Sequence, residues 1–165
     1  KSMRGSDPDA SVYYLAAMLE GGEDPRFIAR RMIVLASEDV GLADPQALVV
    51  AVAAAQAVEH VGRPEARLNL AEAAIYLALA PKSNAVITAL GEAAKDVREL
   101  GHTRPPDELR DTHYYGAKKL GRGKGYIYPH SDPRGFEVDH LPEPLKGKKY
   151  YRPSEASEEG GNDGD

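Results

Sequence analysis

DPQALVVAVAAAQAVEHV, residues 44–61, is the stretch on which the fold turns. Asp44 suits a helix N-cap, where a carboxylate accepts from the first free N–H groups, and proline suits the first helical position. From Ala47 to Ala55 no side chain is polar. At about 100° per residue, Gln46, Val49, Gln56 and His60 fall on one narrow stripe with Glu59 beside it. The remaining arc, through Val50, Ala57, Ala54, Val58, Ala51, Ala55, Leu48 and Val52, spans roughly 220°. A surface helix needs an apolar stripe only a little over ~100° wide. The segment must therefore be covered on several sides, by its own fold or by another subunit. It is too short and too alanine-rich for a membrane span, which needs about 20 apolar residues. The sequence predicts the central pillar of a helical domain.

Outward from this pillar, the same device recurs. Asp7-Pro8 and Asp24-Pro25 repeat the acid–proline start, and Arg63-Pro64 supplies the proline alone. A first helix is predicted over about 8–20, with Val12, Leu15, Ala16 and Leu19 on one face and Gly21-Gly22 ending it. A second runs from about Pro25 to Asp39 and buries Ile28, Met32, Leu35 and Ala36. Glu38 and Asp39 sit at its C-terminal end, where a carboxylate opposes the helix dipole. They read as a surface ion pair or cap, or as a fixed polar contact to another domain or subunit. A fourth helix, 64–80, places Leu68, Ala71, Ile75, Ala78 and Leu79 together, and Pro81 stops it. A fifth, 83–100, buries Val86, Leu90, Ala93, Ala94, Val97 and Leu100. Its outer face carries Glu92, Lys95, Asp96, Arg98 and Glu99 in a solvated pattern.

After Pro105-Pro106 the periodicity disappears, and glycine, proline, tyrosine and lysine dominate from Gly121. The domain reading is a helical body over 1–112, an irregular basic arm packed on it over 113–153, and a disordered acidic tail over 154–165. The net charge of -5 conceals the arm, where nine Lys/Arg face four Asp/Glu, a local +5. Lys118, Lys119, Arg122 and Lys124 lie beside tyrosines 114, 115, 126 and 128. Lys146, Lys148, Lys149 and Arg152 lie beside Tyr150 and Tyr151. Cations for phosphates and flat rings for bases make a single-strand surface. Alternatively, the tyrosines pin the arm to the helical body and the lysines merely solvate it.

Catalytic chemistry finds little support. The chain has no cysteine, which excludes disulfides, thiolate zinc sites and thiol nucleophiles. The run Gly116 to Gly125 has Arg122 where a phosphate loop needs lysine, Gly123 where it needs a hydroxyl, and no apolar strand before it. The five histidines show no metal-ligand spacing, and the pairs His130/Asp132 and Asp139/His140 lack a third anchor. No serine sits in a nucleophile elbow. No catalytic residue, no cofactor-binding residue and no metal ligand is expected, and the chain alone is read as non-enzymatic. No signal peptide is visible, so a cytoplasmic protein is expected. The opening KSMRGSDPDA lacks an initiator Met and enters a helix within ten residues, which reads as a piece of a longer protein.

RGSDPDA, GEDPRFIARRMIVLASEDVGLADPQAL, YLALAPKSNAV, GKGYIYPH and LPEPLKGKKYYRPS occur in order between Arg4 and Ser154. Together they resemble the C-terminal region of the replication-associated recombination protein A family, bacterial AAA+ ATPases also called MgsA, with the Werner-helicase-interacting ATPases as eukaryotic relatives. The resemblance implies an all-α orthogonal helical bundle of about five main helices, akin to a clamp-loader collar, that assembles a homotetramer. It implies an upstream AAA+ module carrying the ATP and magnesium sites. It also implies action on DNA at stalled replication forks, single-strand-binding protein as a partner, and a cytoplasmic, nucleoid-associated place. A DNA-binding accessory domain using the arm is the alternative function.

The apolar surplus of the pillar bears on self-association directly. Closed, symmetric homo-oligomers are the usual way to cover such a face. Val50, Ala54 and Ala57 are the candidate interface residues: Val50 and Ala57 border the polar stripe, and small residues let helices approach closely.

Overall fold

The computed structural model describes residues 1–101, 103–110, 123 and 125–154. Five α-helices form its frame: α1 (Pro8–Glu20), α2 (Pro25–Leu35), α3 (Gln46–His60), α4 (Ala66–Leu79) and α5 (Ala85–Leu100). No strand occurs among the described residues, and none of the helices is long and apolar enough to cross a membrane. The chain is an all-α bundle, as its periodicity indicates. Most of the predicted tail, from residue 155, lies outside the described residues.

The aspartates ahead of the prolines act as caps. Asp7 accepts from the Ala10 N–H at 2.9 Å and Asp24 from the Arg26 N–H at 2.9 Å. Asp44 accepts from Gln46 N–H at 3.0 Å through one carboxylate oxygen, and its other oxygen accepts from the Tyr76 hydroxyl at 2.7 Å. That second bond ties the start of α3 to α4, and it raises the Tyr76 pKa by stabilising the protonated hydroxyl. Two expected boundaries shift. The α-helical winding of α2 ends at Leu35 and continues as a π-helical turn over Ala36–Val40, so Glu38 and Asp39 sit in that turn. Gly41 follows at φ +55, a left-handed conformation, and a Cβ there would meet Val86 at 3.2 Å. Helix α4 starts at Ala66, two residues past Pro64.

Two compact units divide the chain: residues 1–91 with the segment from Tyr151, and residues 92–150. The boundary falls inside α5. In the first unit α4 packs against α1, α2 and α3, while α3 packs against α4, α2 and the π-helical turn. Helices α3 and α4 thus each pack against three elements, and the predicted pillar, α3, shares the centre of the unit with α4. The core contains Leu15, Ile28, Met32, Leu35, Val40, Leu70 and Leu77, with alanine its commonest residue. Small side chains let the axes approach, and each fully buried Leu or Met contributes roughly 2 kcal/mol of apolar burial. The predicted face of α2 is all inside: Ile28, Met32, Leu35 and Ala36 are buried.

The predicted faces of α4 and α5 are corrected. On α4 the buried residues are Ala66, Leu70, Ala73, Ala74, Leu77 and Ala78. Of the residues expected to lie together, Ala78 is buried, whereas Leu68 and Leu79 are 69% and 67% exposed, and Ile75 is exposed as well. The helix is apolar nearly all round, and the alanine-rich side packs because it permits closer approach. On α5, Val86, Leu90, Val97 and Leu100 are exposed rather than buried, Leu90 to 69%. Ala93 and Ala94 are half-buried. Asp96, expected in the solvated pattern, is the buried one.

In the second unit, short 3-10 turns form at Asp107–Leu109, Pro133–Phe136 and Glu143–Leu145. Gly135 is packed so tightly that a Cβ would come within 2.9 Å of the Ile127 carbonyl oxygen and of Pro129 Cα. Only glycine fits where these two segments touch.

Candidate functional site

Uncovered apolar surface is the first feature with functional meaning. On α3, Ala54 is buried in the core, while Val50 and Ala57 are half-buried, Val50 packing against that core. The exposed apolar residues of α3 are instead Leu48, Val49, Val52 and Ala53, further round the helix. Leu68, Ile75 and Leu79 follow i, i+7, i+11 spacing on α4, a stripe along one face interrupted by exposed Glu72. Beside Leu68, α1 and α4 enclose an open apolar groove of about 450 Å³, lined by Val12, Leu15, Leu19, Leu70 and Ala71. Arg63 and Arg67 stand at its margin. Periodicity indicated the surplus but not which side of each helix keeps it.

The carboxylates at the end of α2 are placed by Arg4. Its guanidinium reaches Asp39 at 2.6 Å and Glu38 at 3.3 Å, an ion pair that raises the arginine pKa. The Ser83 N–H donates to the Asp39 backbone carbonyl at 2.9 Å. Next to Ser83, Lys82 donates to the Ala78 and Ala80 carbonyls at the end of α4. Burial lowers its pKa, partly offset by Asp39. A cation on the last carbonyls of a helix satisfies orphan acceptors and the helix dipole together. The ion-pair reading of Glu38 and Asp39 thus holds within the chain.

The second unit has a polar clasp that no pattern in the sequence announces. Asp96, 8% exposed, accepts from the Lys148 ammonium and, at 2.6 Å, from the Tyr150 hydroxyl. Lys148 and Tyr150 hydrogen-bond the carboxylate and hold its pKa below the usual range. The same bond pushes Tyr150 up to about 12. The lysine ammonium also lies 5.3 Å from the Tyr150 ring centroid, a cation–π contact. Periodicity is blind to such a clasp, since its partners lie more than fifty residues apart in sequence.

Half of the candidate DNA-contact residues can be located. Lys118, Lys119, Arg122 and Lys124 lie outside the described residues. Lys146 pairs with Glu143 at 2.6 Å, and Lys148 is engaged by Asp96. Lys149 and Arg152 are exposed. Tyr150 pins the arm to α5 within this unit, in line with the pinning alternative for the tyrosines. The imagined metal pairs are otherwise occupied on their acidic side. Asp132 takes the Arg134 guanidinium at 2.6 Å, and Asp139 accepts from the Leu141 and Gly147 N–H groups. Among the described residues no His/Cys/Asp/Glu group is arranged to hold a metal ion.

Fold and surfaces together define an all-helical domain that presents open apolar faces and a clasped, irregular polar arm. The chain belongs to the family described as MgsA AAA+ ATPase C terminal, whose model matches residues 5–163. It is 50% identical over 156 residues to replication-associated recombination protein A of Bacillus subtilis, covering 94% of this chain and 37% of that protein. To the Escherichia coli K12 protein of the same name it is 41% identical over 162 residues, 97% of this chain and 36% of the other. An uncharacterised AAA-domain-containing protein of Mycobacterium tuberculosis is 56% identical over 155 residues, 93% of this chain and 34% of that protein. The chain thus spans about a third of the length of the curated relatives it matches.

Proposed function

We propose that this domain is the self-association module of a DNA-dependent AAA+ ATPase acting in replication, recombination and repair at stalled forks, holding four ATPase modules together as a homotetramer. The observation that carries the reading is the stripe Leu68–Ile75–Leu79 on α4, open to solvent beside the apolar groove with α1. Exposed apolar stripes of this kind characterise interaction surfaces, and membership of an AAA+ family supplies a reason for self-association. ATP and magnesium would be bound by the AAA+ module, with this domain non-catalytic. DNA and single-strand-binding protein are partners of the whole protein under this reading, in the cytoplasm at the nucleoid.

Light scattering tests the proposal. The wild-type chain should give about four times its 17.8 kDa mass. Leu79→Glu should reduce that mass while helical circular dichroism survives, because an unpaired carboxylate in a dry contact is strongly unfavourable. A wild-type chain that stays monomeric at high micromolar concentration sinks the reading. Unchanged mass in Leu79→Glu removes this stripe from the interface.

A second reading, DNA contact by the arm, draws support from the local +5 over residues 113–153. Replacing Lys146, Lys148 and Lys149 together by Ala should flatten the salt dependence of single-strand binding, by roughly 0.7 in slope for each phosphate no longer neutralised. Asp96→Asn is the companion variant: it releases Lys148 from its carboxylate and should strengthen binding. An unchanged slope in the triple variant makes these lysines structural or solvating.

A further inference from the structure

The residues ahead of α1 are folded into a turn rather than trailing from it. The Gly5 N–H donates to the Lys1 carbonyl at 2.9 Å, the Ser6 N–H to that of Met3 at 3.1 Å, and the Asp7 N–H to that of Ser2 at 3.1 Å. Arg4 is tied to Asp39 at 2.6 Å and to Glu38 at 3.3 Å, and Met3 packs against the core. Ser6 is held at φ +57 inside this turn, a conformation uncommon outside glycine. A chain that enters through Lys1 is therefore fixed in place before α1 begins, with no slack.

That entry point opens on a surface. Lys1 and Met3 line a groove of about 120 Å³ between α1 and α2, walled by Tyr14, Met18, Phe27 and Arg31. All four wall residues are exposed, Tyr14 to 58%. Tyr14 and Met18 stand one turn apart on α1, as do Phe27 and Arg31 on α2, so each pair shares a helix face. Tyrosine, phenylalanine, methionine and arginine are the side chains enriched where protein surfaces meet. No carboxylate lines the groove, whereas Lys1 and Arg31 do, and the Arg30 guanidinium lies 5.5 Å from the Phe27 ring centroid. A face that fits here is apolar and carries carboxylates.

The point of entry indicates the occupant. The chain covers only 34–37% of three relatives, and the family model describes the C-terminal part of AAA+ ATPases. We propose that the groove docks the ATPase module that precedes this domain in the same chain, through an apolar, acidic face of that module. The proposal rests on the reading that an AAA+ module lies upstream and goes beyond it by naming where that module seats. A tether without slack keeps the module at high effective concentration beside the groove, so a small interface suffices to close it. A second copy would have to offset its loss of translational and rotational freedom with the same few side chains.

The test uses the whole protein that carries this domain, made with photoreactive benzoylphenylalanine in place of Tyr14. Irradiation should give a product of monomer mass on a denaturing gel, and peptide mapping should place the new bond N-terminal to Lys1. In the whole protein, Tyr14→Ser with Phe27→Ser should accelerate amide exchange across α1 and α2 at least about ten-fold, because a docked partner stabilises what it covers. The same pair of substitutions should leave exchange unchanged in the 165-residue chain, and the light-scattering mass unchanged in both. Should the double variant lose its helical circular dichroism, Met18→Ser on the same wall takes its place. A product of dimer mass, a bond only within the domain, no cross-link, or equal acceleration in the two proteins overturns the docking. A lower mass assigns the groove to an interface between copies, and the proposal fails. In each of these cases ATP turnover by the whole protein leaves the upstream-module reading standing; a whole protein without turnover overturns both.

Discussion

The four-helix packing of the first unit and the irregular arm of the second are held by opposite means. In the first, small apolar side chains fill the interior: Ala47, Ala51 and Ala54 of α3 and Ala73, Ala74 and Ala78 of α4 are all buried. Stability there is distributed, because dispersion and burial accrue a little at every touching pair of atoms. In the arm, order rests on a few directed bonds, chiefly the Asp96 clasp and the Asp132 and Asp139 turns. A region of the first kind should respond to changes of volume, and one of the second kind to changes of charge.

The strongest way to break that contrast is Leu77→Ala. Leu77 is fully buried, and its truncation should cost about 2–5 kcal/mol in chemical denaturation through forfeited transfer energy and a cavity. A cost below ~1 kcal/mol would mean that the alanine-rich interior collapses freely, against the close packing expected of a protein core.

Asp96→Asn probes the other side. Amide exchange around Lys148–Tyr150 should accelerate, and the unfolding midpoint of the first unit should not move. A midpoint shift as large as that of Leu77→Ala would erase the distinction. The clasp also predicts a pH window. The Asp96 carboxylate has a lowered native pKa, so its contribution is present above the ordinary value near 4 and is lost as pH falls through the native value. Tyr150 is raised from 10.0 to about 12, so its contribution is complete below 10 and is lost as pH rises towards 12. Exchange protection of the clasp should therefore plateau between these limits and fall on both sides.

Tyr76→Phe should have the smallest effect, since it removes one half-exposed hydrogen bond to Asp44. A loss under about 1 kcal/mol is expected. A larger loss would show that the first unit, too, leans on a directed polar bond.

The same contrast governs what the sequence revealed. Helix α2 is amphipathic, so Ile28, Met32, Leu35 and Ala36 declared the buried face without help. Helix α4 is apolar on nearly every side, and a pattern without contrast carries no phase: Leu68, Ile75 and Leu79 looked as suitable for the core as Leu70 and Leu77. Size decided, because the faces bearing Ala66, Ala73, Ala74 and Ala78 pack more closely. Asp96 was invisible for a different reason. It sits among Glu92, Lys95, Arg98 and Glu99, and its partners come from the far end of the arm, where no local rule could find them. On α3 the sequence identified a surplus of apolar surface, yet the exposed share falls on Leu48, Val49, Val52 and Ala53.

The aspartate–proline starts have one more consequence. A slip of one residue at a helix start would turn every side chain behind it by about 100° around the axis, exchanging buried for exposed positions along the whole element. Asp7, Asp24 and Asp44 fix those starting points through bonds to N–H groups two or three residues away. Such short-range bonds can form before any helix meets another. The phase of α1, α2 and α3 is thus set locally, and in a bundle rich in alanine on several faces, that local clock keeps near-equivalent packings from competing.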